Sequence, residues 1–412
     1  MSRYLISAVE QALWSALNLG VSLILARLCA PAEYGAFAFW TSCGYILASL
    51  QNALTVCHLQ VLPPGGGLAK ERIEVERLMH AVTCLFLAVV AVATLAATLG
   101  LRALGNAFGD PAASLFVPAF LLQQYIRFLA FSRGAPATAA VQTGLVLVVA
   151  AALLGAAALA FRPLTADEVL TCVGAAYGLV GLAGGLRAIR GQALSRFRLQ
   201  ELKVFAGYAA QSGWIFLGVT TTELLARFYV FVTAGWFGPA ALASLTATQQ
   251  LLRPVPLLAS SWSLVARADL ARRREAADWG GFIRILGAAL AGGLLIAAAW
   301  TGLAHACWGL VSAHVFAGKY AQDGWIVLLW GISAGVGFGQ VVVSAGLQAL
   351  REFKALALAN AAASAVAAGA VLVVARVYGV GGSVAGTAAG QAFEFAVMAV
   401  VLTVFLNRLR RA

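Results

Sequence analysis

The strongest constraint on this chain is a succession of long apolar runs, each near the length of a bilayer-crossing helix. Twelve can be read, at about 5–27, 36–62, 79–100, 113–133, 138–160, 167–189, 207–236, 240–266, 281–303, 323–349, 353–375 and 381–407. A transmembrane helix needs about 20 apolar residues. Helices satisfy their own backbone hydrogen bonds in hydrocarbon, and the runs are too long and too unbroken to alternate as barrel strands. The fold expected is all-α and membrane-embedded, with about 12 helices. Composition agrees: 62% of the 412 residues are hydrophobic and 11% charged. A soluble domain carries about 25% charge, which argues against a cytosolic enzyme. Only Arg3 precedes the first run, and no small-residue cleavage site ends it, so a cleaved leader is not expected.

The net charge of +12 would raise the question of nucleic acid in a soluble protein. Here the basic residues cluster in short connections. With both termini cytoplasmic, 20 of the 28 Lys and Arg fall on the cytoplasmic side, five fall opposite, and three lie inside spans. That asymmetry is a topology signal, so no nucleic-acid partner is expected. The basic stretches around 187–206 and 267–279 are read as topology signals that also meet anionic lipid headgroups. The six cysteines lack CxxC spacing and the four histidines lack HExxH spacing, so packing roles are expected, with no metal or other cofactor.

The chain also reads as two halves. Pro31-Ala32-Glu33-Tyr34-Gly35 joins runs one and two, and Gly238-Pro239-Ala240-Ala241 joins runs seven and eight, an offset of 208 between the prolines. Basic loops and Gly-containing outer loops then follow in the same order. Six helices per half put both halves in the same orientation, a parallel repeat used by many secondary transporters. The expected organisation is a lobe over 1–189, a basic connector over 190–206, and a second lobe over 207–412.

No Walker A, Rossmann or nucleophile-elbow motif is present, and every outer loop is short. Chemistry must therefore reside in the few ionisable groups inside apolar runs, which are expensive in lipid and face a bundle interior or a wet cavity. These are Glu10, with Gln11 and Asn18 on the same run; Arg127, beside Gln123 and Gln124; Glu223 and Arg227, four apart on one helix face; Arg253, ahead of Pro254 and Pro256; and Glu394, near Gln391. Gln340 and Gln348 polarise run ten. Each has a plain alternative. Glu223 and Arg227 can neutralise each other. Arg127 can snorkel to the interface. Glu10 and Glu394 can be polar glue between helices or sites of cation coupling. Three interior arginines nevertheless suit a phosphate-bearing substrate, because guanidinium forks match phosphate oxygens.

Ala26-Arg27-Leu28, followed by Pro31-Ala32-Glu33-Tyr34-Gly35-Ala36-Phe37-Ala38, resembles the opening of polysaccharide-biosynthesis flippases. In those proteins an "AR.L.P.EYG.FA" stretch joins the first two helices. Val315-Phe316-Ala317-Gly318-Lys319-Tyr320 is similar to their "FG..Y" stretch, and Tyr378-Gly379-Val380-Gly381-Gly382-Ser383-Val384-Ala385-Gly386 to their "YG..G.A.G" stretch. These flippases form the polysaccharide-transporter branch of the multidrug/oligosaccharidyl-lipid/polysaccharide superfamily. The resemblance implies two six-helix lobes and no enzymatic activity. It implies translocation of undecaprenyl-diphosphate-linked repeat units of O-antigen, capsule or exopolysaccharide across the bacterial inner membrane, by alternating access through a cationic cavity. It assigns substrate binding to Arg27, Arg227 and Arg253, to which the interior position of Arg127 adds a fourth. Glu10, Glu223 and Glu394 are the candidates for coupling or ion pairing. Candidate partners are membrane lipids and the glycosyltransferases and polymerase of the same pathway. The alternative readings are a cation-coupled multidrug antiporter of the same superfamily and, more remotely, a membrane polymerase or ligase.

Overall fold

The computed structural model describes residues 3–60, 69–160, 163–189 and 199–411. Thirteen α-helices and no strand occur among them. They are α1 (Arg3–Leu28), α2 (Pro31–Leu54), α3 (Val56–Gln60), α4 (Ala69–Ala103), α5 (Ala113–Ser132), α6 (Pro136–Ala160), α7 (Ala166–Ala188), α8 (Leu199–Gln250), α9 (Pro254–Glu275), α10 (Trp279–Ala306), α11 (Trp308–His314), α12 (Gly324–Ala349) and α13 (Phe353–Arg411). Among the described residues, nine of these are long and apolar enough to cross a membrane, as a multi-pass protein requires. Two of the nine are each a pair of helices set end to end. Gly238 (φ 81°) divides α8 and Gly379 (φ 68°) divides α13. Positive φ is open to glycine at little cost, so both breaks fall where the sequence allows them. Together with α2, and with α9 continuing the second half of α8, these breaks recover the twelve apolar runs.

The helix starts are written locally. Pro31 and Pro254 each stand in the first turn of a helix, where a missing N–H costs nothing. Thr165 and Glu168 form a reciprocal capping box at α7, and Asp278 accepts from the Gly281 amide at the start of α10. Pro239 follows Gly238 as Pro31 opens α2, so the two turns paired by the sequence repeat have the same helix-starting role.

The chain divides into two compact units, Met1–Thr220 and Thr221–Ala412. The division falls inside α8. The turn after Pro63 and the first half of the basic connector, 190–198, lie outside the described residues. In the first unit α5 packs along α7 and α1 along α6. Phe116, Phe120 and Tyr177 fill its centre, with Trp14 against Phe120. In the second unit α12 is central, flanked by α9, α10 and α13, with Phe282, Phe338, Met398 and Leu402 in its core. Large apolar side chains such as Val92, Leu179 and Leu295 lie on the outside. In water they would be a liability; in hydrocarbon they are what a helix must present.

The charged KERIEVER stretch (Lys70–Arg77) is the first part of α4, and much of it is not a solvated face. Arg72 and Glu76 are buried. Arg72 donates to the carbonyls of Leu59 and Ser132, Glu76 pairs with Arg133, and His80 shares a hydrogen bond with the Tyr125 hydroxyl. These contacts lock α4 to the end of α5. The sequence offers no sign of them, because a buried partner 57 residues away leaves no local pattern.

At the opposite end of the first unit three carboxylates gather. Glu33 accepts from the Ala166 amide and Asp167 from the Ala112 amide, which ties together the starts of α2, α5 and α7. Asp110 lies near both, with one buried oxygen unpartnered among the described residues. Burial, then the charges of Glu33 and Asp167, push its carboxyl up to about 6, against the pull of Arg102. The folded state therefore holds a proton that the unfolded chain releases at its ordinary 3.8. Stability from this group is present at low pH and falls as pH rises between these values. Asp110→Asn is expected to stabilise the protein at pH 7.5 by on the order of 1 kcal/mol after screening by solvent, read as a higher thermal midpoint. Its advantage should shrink at pH 5. Paired melts of both proteins across that range test this; an advantage independent of pH would refute it.

Candidate functional site

The first unit places one buried ion pair at its heart. Glu10 of α1 is fully buried, and Arg127 of α5 is 6% exposed. The Arg127 guanidinium donates from Nε and Nη2 to the two Glu10 oxygens at 2.6 and 2.9 Å, a fork-to-fork match. Nη2 also donates to Gln11 Oε1 at 2.8 Å, and Thr143 of α6 donates to Glu10 Oε1 at 2.8 Å. The Trp14 ring lies 4.9 Å from the guanidinium carbon, in cation–π range. Arg127 thus does not reach for the helix end. Its charge is met inside the bundle, and the pair joins α1, α5 and α6.

The other expected residues make no part of this pair. Arg27 is exposed in the last turn of α1. In the second unit, Arg227 Nε donates to Glu223 at 2.8 Å, the one-face pair that their spacing predicts. Arg253 occupies the three-residue break between α8 and α9. Pro254 and Pro256 cannot donate there, which frees carbonyls. The Leu251 carbonyl is taken by the Trp300 indole at 2.7 Å. The half-buried Arg253 side chain has no ion-pair partner among the described residues.

A second gathering of polar groups surrounds a cavity of about 350 Å³ within the second unit. α12 contributes Gln340, Ser344 and Gln348, four residues apart and so on one face. α9 contributes Ser260, Ser263 and Arg267; α13 contributes Asn360 from its first half and Gln391 and Glu394 from its second; α8 contributes Thr222. Gln340 Nε2 donates to Glu394 Oε2 at 2.7 Å and to the Gln391 carbonyl at 3.1 Å. Ser333 donates to Gln391 Oε1 at 2.7 Å. At the other end Arg267 Nη1 donates to Gln348 Oε1 at 3.0 Å, and Asn360 Nδ2 donates to Thr222 Oγ1 at 2.8 Å. Glu394 has no cation within ion-pair distance among the described residues.

Gln340 with Gln348 and Gln391 with Glu394, noted as two separate pairs in the sequence, are here one site. Arg267 is missed by sequence reasoning, because a basic residue near a span end reads as topology. The four-residue spacing of Gln340, Ser344 and Gln348 is the signal that points to a polar face.

The helix order, with two long helices of the second unit broken at glycine, gives an all-α membrane fold like that of transporters of the multidrug/oligosaccharidyl-lipid/polysaccharide (MOP) superfamily. A multidrug-resistance MATE family transporter of that superfamily, in an inward-facing conformation, matches with TM-score 0.77 and 12% identity over 98% of this chain and 99% of its own. The lipid II flippase MurJ, in an inward closed conformation, matches with TM-score 0.75 and 11% identity over 97% of this chain and 87% of its own. The eukaryotic MATE transporter AtDTX14 matches with TM-score 0.62 and 15% identity over 98% and 96%. No family model and no curated protein sequence matches the chain.

Proposed function

We propose that the chain is a transporter of the bacterial inner membrane that flips an undecaprenyl-diphosphate-linked oligosaccharide, with both termini cytoplasmic. The observation that carries this reading is Arg253, a half-buried guanidinium at a proline-broken helix with no ion pair among the described residues. An unpaired cation within the apolar run over 240–266 is costly, and an anionic ligand offsets that cost. A diphosphate meets the same barrier from the other side, since it cannot enter hydrocarbon uncompensated. The likeness in fold to a lipid II flippase and the flippase-like sequence stretches support the same substrate class.

The test is surface polymer in cells that depend on this protein. Arg253→Ala and Arg227→Ala together are expected to reduce it at least about tenfold at equal protein level, as loss of charged hydrogen bonds to phosphate implies. Normal polymer with both replaced would overturn the assignment.

One observation favours a second reading, the multidrug antiporter: Glu394 is a carboxylate inside a span with no cationic partner among the described residues, a group able to meet a cationic substrate. The end-to-end likeness to a MATE transporter is compatible with it. Efflux of cationic dyes from a pump-deficient strain, abolished by Glu394→Gln, would establish it in place of the first.

A further inference from the structure

We infer that the cavity inside the second unit is a binding pocket for an uncharged sugar. The reading of that sugar as the head of a lipid-linked substrate rests on the flippase proposal; the pocket itself does not.

Polar side chains inside membrane spans are retained where they meet each other, water or a ligand. Here four helices direct them at one space. The face formed by Gln340, Ser344 and Gln348 extends over roughly 12 Å at 1.5 Å per residue. Its two ends carry an acidic and a basic side chain. Glu394 is bonded to Gln340 and Arg267 to Gln348, so the lining is balanced. A cationic ligand filling the space would meet Arg267, and a phosphate would meet Glu394. Between them lie amides and hydroxyls, groups that donate and accept at once. Sugar hydroxyls do the same, and neighbouring hydroxyls match an amide's paired donor and acceptor. Asn360 Oδ1 is buried with no hydrogen-bond partner among the described residues, an acceptor ready for a ligand hydroxyl. Leu225 and Met398 supply an apolar patch for the less polar face of a ring. The volume lies at the small end of ligand sites, which suits a mono- or disaccharide. A lipid tail would leave the amides unpaired.

The experiment places a reporter in the pocket. In protein whose six native cysteines are replaced by Ala, Ser344→Cys is labelled with a small polar methanethiosulfonate. Saturating maltose or lactose is expected to slow labelling about fivefold or more, since labelling then proceeds only from the unoccupied fraction of sites. Glucuronate and choline should not slow it. Gln340→Ala should abolish the protection and keep the unprotected rate. A rate unchanged by neutral sugars, or protection by choline, overturns the inference.

A second measurement avoids the cysteine background. The native-cysteine protein should bind a farnesyl-diphosphate-linked disaccharide about tenfold tighter than farnesyl diphosphate, and Gln391→Ala should erase that difference. Equal affinities overturn the reading of that sugar as the head of a lipid-linked substrate. The two proposals separate cleanly. Sugar protection with normal polymer in the Arg227 and Arg253 double variant keeps the pocket and removes the flippase reading. Lost polymer without sugar protection does the reverse.

Discussion

Arg127→Met is expected to destabilise the protein by about 3–5 kcal/mol, because it strands the Glu10 carboxylate in a bundle with no water to receive it. Glu10 is fully buried, and both its oxygens accept from the Arg127 fork. With the guanidinium gone, only the Thr143 hydroxyl remains on one of those oxygens. Replacing both partners, Glu10→Met with Arg127→Met, should recover most of the loss, since a paired deletion leaves no orphan charge. Arg127→Lys keeps the charge but not the two-pronged geometry, and should fall between. The measurement is reversible unfolding in mild detergent, read as a double-mutant cycle. If the double variant were as unstable as the single, the pair would not be the source of the effect. The same geometry bears on function. Both edges of this guanidinium that face Glu10 are engaged, so the residue holds α1 to α5 whatever else it meets.

Gly386→Val should be nearly as damaging, for a steric reason. Gly382, Gly386 and Gly390 recur every four residues on the second half of α13 and face its first half. A Cβ on Gly386 would lie 2.6 Å from the backbone nitrogen and Cα of Val371, and one on Gly390 would lie 2.2 Å from the Ala367 Cβ. Real Cβ atoms do not come so close, and backbone cannot swing aside as a long side chain can. Small residues let membrane helices approach in this way, with Ala363, Ala367 and Ala375 buried on the facing side. Overpacking typically costs about 1–3 kcal/mol, and an obstacle made of backbone puts this site at the upper end. Gly369, on the first half of the same helix, has nothing within 4 Å of its would-be Cβ. Gly369→Ala should therefore be neutral or stabilising by up to about 1 kcal/mol through helix propensity. The contrast, read as thermal midpoints in one detergent, tests close packing. Equal effects at both glycines would refute it.

Much of the architecture was legible because the membrane makes secondary structure a matter of apolar length. The twelve runs, the turns at Pro31 and at Gly238–Pro239, and the pair of Glu223 with Arg227 all follow from spacing along a few helical turns. The Glu10–Arg127 clamp did not. The two residues are 117 apart in sequence, and either alone reads equally as glue, coupling group or ligand site. The set of Arg72, Glu76, Arg133 and His80 was hidden for a related reason. It sits among basic residues that read in the sequence as topology signals, and that reading accounts for such charges without any partner.

By itself, the sequence determined the environment and the helices, since mean apolarity and run length decide both before any contact forms. It also confined the candidate chemistry to a handful of intramembrane polar groups. Only the tertiary structure decided which of them share a space. The gathering of Gln340, Gln348, Gln391, Glu394 and Arg267 around one cavity depends on how four helices are rotated about their axes. That rotation is set by packing such as the glycine face of α13 on its own first half, and packing is a property of pairs of surfaces that no single helix carries in its residue order.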